Sequence, residues 1–495
     1  MSISFAAVPQ SLRVPMFAAE LDASAAAQSS ASLSALLIGQ RLSTGAVAAH
    51  VPTLIASEAQ AILAFGRGSM LAAMVARFRA ANPLGRLWCI AEDDDGAGVK
   101  ATGTVTITGP ATAAGALSLY VAGRLVEVAV ASGDANTTIA AALNTKIAAM
   151  PDLPVVSTVL LGVVTIEARH KGLLGNGIDL RLNYAGAAAG EKLPAGVGAT
   201  IVAMAAGVTD PSIVSSISAI QNIGGLEVVG TAYAATTPLN LLKAEFDDAS
   251  GRWSYLRAQY GHVVCTNTAV SGTLQSTGDA RNNQHETIFG VYRSPTPPWE
   301  ITAAAAGAIF ASVESDPARP LQTLALPGVV APAMSDQFTI TERQSLLMDG
   351  IATLTFDGDG TARIERAITT YQENPAGADD TAYLDSETLY TLAYILRAMK
   401  SRIQTRYPRH KLVNDGTRYG AGQAVVTPAV IKGEILAMYR ELETAAIVEN
   451  FAAFKAALIV ERNALNPNRV DVLFPPDLAN QLRIFAVLAQ FRLQY

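Results

Sequence analysis

From Leu33 to Glu92 short apolar runs alternate with amphipathic stretches, the pattern of an α/β unit. Ser34-Ala35-Leu36-Leu37-Ile38-Gly39-Gln40 predicts a buried strand. Ser57 opens a helix running to Phe65, Ser69 opens a second one stopped at Asn82-Pro83, and residues 87–91 predict another buried strand. At Glu92-Asp93-Asp94-Asp95-Gly96 the chain turns rich in Thr, Val, Gly and Ala. Segments 103–108, 117–121, 124–131, 163–168 and 178–184 then read as strands, interrupted by one helix over 136–150. Residues 93–207 are therefore expected to be a β-rich insertion. The α/β pattern resumes with a helix opened by Asp210-Pro211 and running to about Ile223. A strand at 226–230, a helix over 238–252 and a strand at 262–266 come next. Segments 287–292 and 321–324 flank an alanine-rich buried helix at 302–313. Residues 33–92 and 208–345 thus predict one discontinuous α/β domain.

Residues 346–480 predict a C-terminal α+β domain. It begins with a hairpin over 348–371 that turns at Asp357-Gly358-Asp359-Gly360. Asp385 then caps a long helix with Leu389, Leu392, Leu396, Met399 and Ile403 at helical spacing. Thr427-Pro428 opens a second helical pattern reaching Leu458, and 470–474 reads as a strand. Both ends read as extended arms. In residues 1–32, Pro9 and Pro15 break any helix that would carry Ile3, Phe5 and Val8. Residues 481–495 carry Phe485, Val487, Leu488, Phe491 and Leu493 without Gly or Pro. The fold class expected is α+β multidomain.

Composition narrows the classes. Half of the 495 residues are hydrophobic, 16% are charged and the formal net charge is -6. That excludes disorder as the main state. Two cysteines, Cys89 and Cys265, exclude a disulfide scaffold and are expected as buried thiols. No stretch reaches the ~18 apolar residues of a membrane helix, so no membrane insertion is expected. The N-terminus lacks the cationic start and apolar block of a secretory leader, which points to synthesis in a reducing cytoplasm. A mean hydropathy of +0.28 then needs an outlet, and subunit interfaces are the expected one.

Candidate chemistry is sparse. The five histidines form no HExxH or His/Cys cluster, and no phosphate-binding P-loop occurs. Gly66-Arg67-Gly68-Ser69-Met70 lacks the second glycine of a nucleophile elbow, so Ser69 is expected to cap a helix. Twelve residues from Asp357 ends at Ile368, not at the glutamate of a calcium loop. No cofactor and no catalysis are expected. The rival classes are an α/β hydrolase, which needs a convergent Ser–His–acid set, and a nucleic-acid-associated protein. The second rests on a basic run, Arg397, Lys400, Arg402, Arg406, Arg409, Lys411 and Arg418, opposed in sequence only by Asp415. That run equally suits docking on an acidic protein surface or a solvated helix face.

The C-terminal third carries a resemblance. It lies in Pro320-Leu321-Gln322-Thr323-Leu324-Ala325-Leu326-Pro327-Gly328, in Leu346-Leu347-Met348-Asp349-Gly350 and in Ile364-Glu365-Arg366-Ala367-Ile368-Thr369-Thr370-Tyr371-Gln372. It continues in Tyr407-Pro408-Arg409-His410-Lys411-Leu412, in Val460-Glu461-Arg462-Asn463 with Asn466-Pro467-Asn468-Arg469, and in Phe474-Pro475-Pro476-Asp477-Leu478. With these stretches the chain resembles the tail sheath proteins of Mu-like contractile phages. The resemblance implies a subtilisin-like α/β domain without the protease triad. It implies a six-fold helical homo-oligomer around an inner tail tube, ending on baseplate and tail terminator proteins. Terminal arms would add strands to neighbouring subunits, through Ile3, Phe5 and Val8 at one end and Phe485 to Leu493 at the other. The insertion would face outward and the C-terminal domain inward, so Arg397, Lys400, Arg402, Arg406, Arg409 and Lys411 become candidates to face the tube. The implied location is the virion tail, after assembly in the host cytoplasm.

Overall fold

The computed structural model describes residues 33–493, so Ile3, Phe5 and Val8 lie outside the described residues. The chain opens with β1 (Ser34–Gln40), β2 (Thr53–Leu54), α1 (Glu58–Phe65), α2 (Met70–Ala81) and β3 (Leu87–Glu92). Ser57 and Ser69 cap α1 and α2 through their hydroxyls, as the sequence predicts. The insertion follows: β4 (Lys100–Thr108), β5 (Gly115–Val121), β6 (Arg124–Val130), α3 (Asn136–Ala148), β7 (Val155–Leu160), β8 (Val163–Lys171), β9 (Leu180–Leu182) and β10 (Gly198–Ala205). These strands form a four-stranded sheet, β10-β4-β8-β7, and a three-stranded sheet, β6-β5-β9.

The chain returns through α4 (Val214–Ile220), β11 (Leu226–Thr231), α5 (Thr236–Phe246), β12 (His262–Thr268), α6 (Ser271–Asp279), β13 (Glu286–Val291), α7 (Pro298–Ser315), α8 (Ile340–Met348), β14 (Ala352–Phe356) and β15 (Ala362–Arg366). Eight strands make the central sheet in the order β15-β14-β13-β12-β11-β1-β3-β2. From β14 across to β3 every pair is parallel, and only the two edge strands run antiparallel. Buried parallel strands must be apolar on both faces, which is why β1, β11, β12 and β13 read as near-continuous apolar runs. Helices α2 and α7 pack on each other and on β1. The small residues Ala303 to Ala306 and Gly307 let α7 lie close: a Cβ at Gly307 would meet the Phe78 carbonyl oxygen at 2.8 Å.

The C-terminal part holds α9 (Ser386–Arg406), β16 (Lys411–Leu412), β17 (Val425–Val426), α10 (Pro428–Thr444), α11 (Phe451–Ala457), β18 (Ile459–Arg462) and β19 (Val470–Leu473). Its own core is built on Ile395, Ile431, Ile435, Met438, Tyr439 and Phe454. Cys89 and Cys265 are buried and free.

Several local expectations are corrected. The hairpin of β14 and β15 does not belong with the C-terminal helices, because it extends the central sheet through β13. Asp210-Pro211 does not start a helix: α4 begins at Val214, and Asp210 instead accepts the Leu174 N–H. The helix expected to reach Arg252 stops at Phe246, where Asp247 turns back to accept the Ala249 and Ser250 N–H groups. Residues 321–324 form no strand. The pattern expected to run unbroken to Leu458 splits into α10 and α11 at a turn around Asn450, whose φ is 57°. Strands β7, β10 and β18 and helices α6 and α8 were not expected.

Candidate functional site

Residues 484–493 have no regular secondary structure and are exposed throughout. Exposure is 84% at Phe485, 86% at Leu488 and 83% at Phe491, and Ile484, Val487 and Leu493 are equally bare. Single apolar residues on a surface are ordinary, but a contiguous run marks an interaction site. The root of this arm is fixed. Arg483 Nη2 donates to Glu387 Oε1 at 2.9 Å and to Asp385 Oδ1 at 3.2 Å, and Nη1 donates to Gln322 Oε1 at 3.2 Å. Glu387 is fully buried, which raises its carboxyl pKa, while the Arg483 charge and the Leu321 N–H pull the other way. Among the described residues, no hydrogen bond holds 484–493 to the body.

Asp385 was expected to cap α9. It stands at the N-cap but makes no capping bond, because its carboxylate takes Arg366 at 2.9 and 3.0 Å as well as Arg483. Sequence reasoning missed Ile484 and the Arg483 clasp. The signal available was Arg483, a charge beside the apolar pair Ile484-Phe485.

A second exposed surface lies beside the arm's neighbours in the fold. Strands β18 and β19 form a two-stranded antiparallel sheet, with Ile459, Val472, Leu473 and Leu465 exposed. Val460 packs on the C-terminal core, so one face is covered while both outer edges are open among the described residues.

The basic run is less free than the sequence suggests. Arg397 forms a paired contact with the buried Glu227 of β11, at 2.7 and 2.8 Å. Arg402 donates to Glu434 at 3.0 Å and Glu441 at 2.6 Å, and Arg406 to Glu434 at 2.8 Å. Thus Glu227, Glu434 and Glu441, from other elements, oppose a run that within its own stretch of sequence meets only Asp415. These acids are distant in sequence, so no local pattern shows them. The two arginines hold the Glu434 carboxyl below its usual range despite partial burial. Lys400, Arg409 and Lys411 are exposed, and among the described residues only Lys411 hydrogen-bonds another side chain, donating to Gln423 Oε1 at 3.4 Å.

The fold does bring histidines to acids. His50 Nδ1 lies 3.0 Å from Glu92 Oε2 and 3.2 Å from Ser216 Oγ, at the C-terminal ends of β1 and β3. A hydrolytic relay needs the two imidazole nitrogens to serve acid and nucleophile separately, and here one nitrogen faces both. Burial raises the Glu92 carboxyl to about 7, against the Ser216 hydroxyl. His170 places Nδ1 3.0 Å from Asp94 Oδ1, and its Nε2 accepts the Met70 N–H at 3.0 Å. Burial pushes Asp94 up, but its bonds to His170, Lys171 and Gln40 outweigh that and keep it low. This second pair is a joint between the insertion and α2. Ser69 caps α2, as expected.

Known proteins resemble this chain at two levels. Residues 206–370 match the phage tail sheath protein central domain, and residues 378–492 match the phage tail sheath C-terminal domain. The Mu-like prophage FluMu tail sheath protein of Haemophilus influenzae is 40% identical over 493 residues, spanning 99% of this chain and 100% of that one. The crystal structure of the sheath tail protein Lin1278 from Listeria innocua aligns with a TM-score of 0.50 at 12% identity, over 93% of this chain and 95% of that one. The helical sheath of the anti-feeding prophage in its contracted state gives a TM-score of 0.49 at 12% identity, over 98% and 100% of the two chains.

Proposed function

The chain belongs to the phage tail sheath family and is a structural sheath protein, and from that premise we propose how its ends and surfaces serve the sheath. Copies polymerise as a six-fold helical array around the inner tail tube. The C-terminal arm of one copy pairs with an open edge of the β18–β19 sheet in the next, and the N-terminal arm, residues 1–32, adds a further strand. The bare run from Ile484 to Leu493 beyond the Arg483 clasp carries this reading.

Strand addition draws affinity from backbone hydrogen bonds and specificity from alternate side chains. At ~1 kcal/mol net per bond, four to six bonds give a few kcal/mol, and each buried Phe or Leu adds ~1.5–3 kcal/mol. Ordering the arm costs about 1–2 kcal/mol per residue. The balance favours pairing only where the partner sheet is already built.

Contraction is rigid-body movement of subunits that releases energy stored at assembly, while the arms keep neighbours linked. The parallel central sheet suits a subtilisin-like body formed by 33–92, 208–345 and the β14–β15 hairpin. Residues 93–207 point outward, and the C-terminal elements from α9 to β19 line the inside. Lys400, Arg409 and Lys411 face the tube, with baseplate and tail terminator proteins at the two ends. Subunits assemble in the host cytoplasm and reside in the virion tail.

Removing residues 484–495 while keeping Arg483 tests the arm. The shortened protein is expected to unfold at the same denaturant midpoint as the full chain and to form no rods in negative-stain electron microscopy. Rods of normal appearance would refute the role of the arm.

A further inference from the structure

The four-stranded sheet of the insertion, β10-β4-β8-β7, ends on two strands that have no further strand beside them among the described residues. The central sheet treats its β15 edge differently. There β15 carries Arg363, Glu365 and Arg366, and segment 323–326 bonds along it. The Thr323 N–H donates to the Ile364 carbonyl at 2.7 Å and the Leu326 N–H to the Ala362 carbonyl at 2.9 Å. Such guarding is the rule, because unpaired backbone groups on an edge template a further strand. Neither β7 nor the regular part of β10, residues 198–202, contains a charge or a proline. The register of β10 shifts only beyond Val202. The β7 edge ends on Leu160, 76% exposed, and Leu161, 74% exposed. Leu161 also holds a φ of 53°, which glycine or asparagine usually supplies.

The bonding pattern fixes what these edges offer. The Ile107 N–H donates to the Gly162 carbonyl at 2.7 Å. Over 103–108, odd-numbered residues of β4 therefore bond toward β8 and even-numbered ones toward β10. Thr106 stands opposite Val163 on one side and Thr200 on the other, and Val163 stands opposite Leu160. The backbone groups left pointing away from the sheet are thus those of Ser157 and Val159 on β7, and of Ala199 and Ile201 on β10. Each strand is antiparallel to the next, so the two edge strands run in opposite directions.

We propose that β7 of one copy pairs antiparallel with β10 of a second copy, joining the insertions edge to edge. A row of backbone donors and acceptors is matched only by another extended strand. Copies in a helical array share one polarity, so β7 must meet an unlike edge, not itself across a two-fold axis. The opposite edge of the same sheet is uncharged, open and runs antiparallel to it. The other open edges, on β18 and β19, carry Glu461, Arg462 and Asp471. One register then satisfies every requirement at once. Aligning 156–160 with 202–198 sets Ser157 and Val159 opposite Ile201 and Ala199, the residues with free backbone groups. It places Val156 beside Val202 and Thr158 beside Thr200, matched pairs on one face. Bare Leu160 falls opposite Gly198, which has to be glycine because a Cβ there would meet Thr108 Oγ1 at 2.4 Å. The inference rests on the polymerising reading above and adds a contact separate from the arms.

Disulfide trapping tests it. Thr158→Cys and Thr200→Cys are made singly in the full chain, whose native cysteines are buried, and mixed under polymerising conditions with a mild oxidant. A disulfide-linked dimer is expected from the mixture and from neither protein alone. Rods without that dimer, dimers of Thr158→Cys with itself, or capture of Thr158→Cys by Leu488→Cys on the arm would overturn the joint while leaving the sheath reading intact. A wild-type chain that forms no rods at any concentration would overturn both. As a second measurement, Thr158→Lys combined with Thr200→Lys, both at exposed positions, sets like charges opposite each other across the joint. It is expected to raise the concentration needed for polymerisation about fivefold with an unchanged unfolding curve. Thr158→Lys combined with Thr200→Glu is expected to restore the threshold. An unchanged threshold in the first protein, or no recovery in the second, would refute the joint.

Discussion

Glu300, in the first turn of α7, tests how the insertion is fastened to the body. Its side chain is fully buried. Oε2 accepts from Arg77 Nε of α2 at 2.6 Å, and Oε1 accepts from Arg124 Nη2 of β6 at 3.1 Å. Arg124 also donates to the Asp152 carbonyl at 3.0 Å. One carboxylate thus joins two helices of the body to a strand of the insertion, and the positive end of α7 supports its charge. Glu300→Ala leaves two part-buried guanidinium groups unpaired, which costs about 3–5 kcal/mol. Arg124→Ala leaves the Arg77 pair intact and loses the bonds to Glu300 and to the Asp152 carbonyl, the first of them worth about 1.5–3 kcal/mol. Urea unfolding of the two single variants and the double variant gives the coupling directly, expected at more than ~0.5 kcal/mol. Amide exchange in β4 to β8 is expected to speed up more than exchange in β11 to β13. A Glu300→Ala protein within ~0.5 kcal/mol of wild type, or strictly additive variants, would refute the fastening.

Other outcomes follow from the same structure. Burial holds the Glu92 carboxyl near 7, above its unfolded value, so the folded state retains the proton longer. Its stabilising contribution is present below about pH 4.5 and is lost as pH rises through about 7. Glu92→Gln is therefore expected to flatten the pH dependence of the denaturation midpoint between pH 5 and 8, and an unaltered slope would count against this. Burial lifts the thiols of Cys89 and Cys265 well above their ordinary range, so Ellman's reagent is expected to react with neither until denaturant is added. Charge reversal at Lys400, Arg409 and Lys411 is expected to prevent assembly on tubes without lowering stability. Reversal at Arg402 and Arg406 is expected to destabilise the fold itself, because it sets glutamate against Glu434; unfolding curves beside tube-binding assays separate the two.

The parts of the fold legible in the sequence were those where burial wrote itself into local pattern. The apolar runs of β1, β11, β12 and β13 marked buried parallel strands, and Ser57, Ser69 and Thr427 marked helix starts. Helices α6 and α8 escaped because few of their residues are buried, with Leu274 and Gly278 in one and Leu346 in the other. The helix expected over 238–252 overran the true end of α5 at Phe246 into the 247–261 loop. The organiser of that loop is Arg252, whose partners lie on the chain around residue 220. The exposed C-terminal run was evident from composition, whereas the acids opposing the basic run come from other elements and leave no trace nearby.

The clasp at Arg483 also decides where a pull on the tail end is felt. Arg483 and Arg366 grip the same carboxylate, Asp385, at 3.2 and 2.9 Å, and Arg366 is the last residue of β15, the edge strand of the central sheet. If a second copy holds the arm as proposed, a pull on it crosses two ion pairs and reaches a strand of the central sheet rather than a loop.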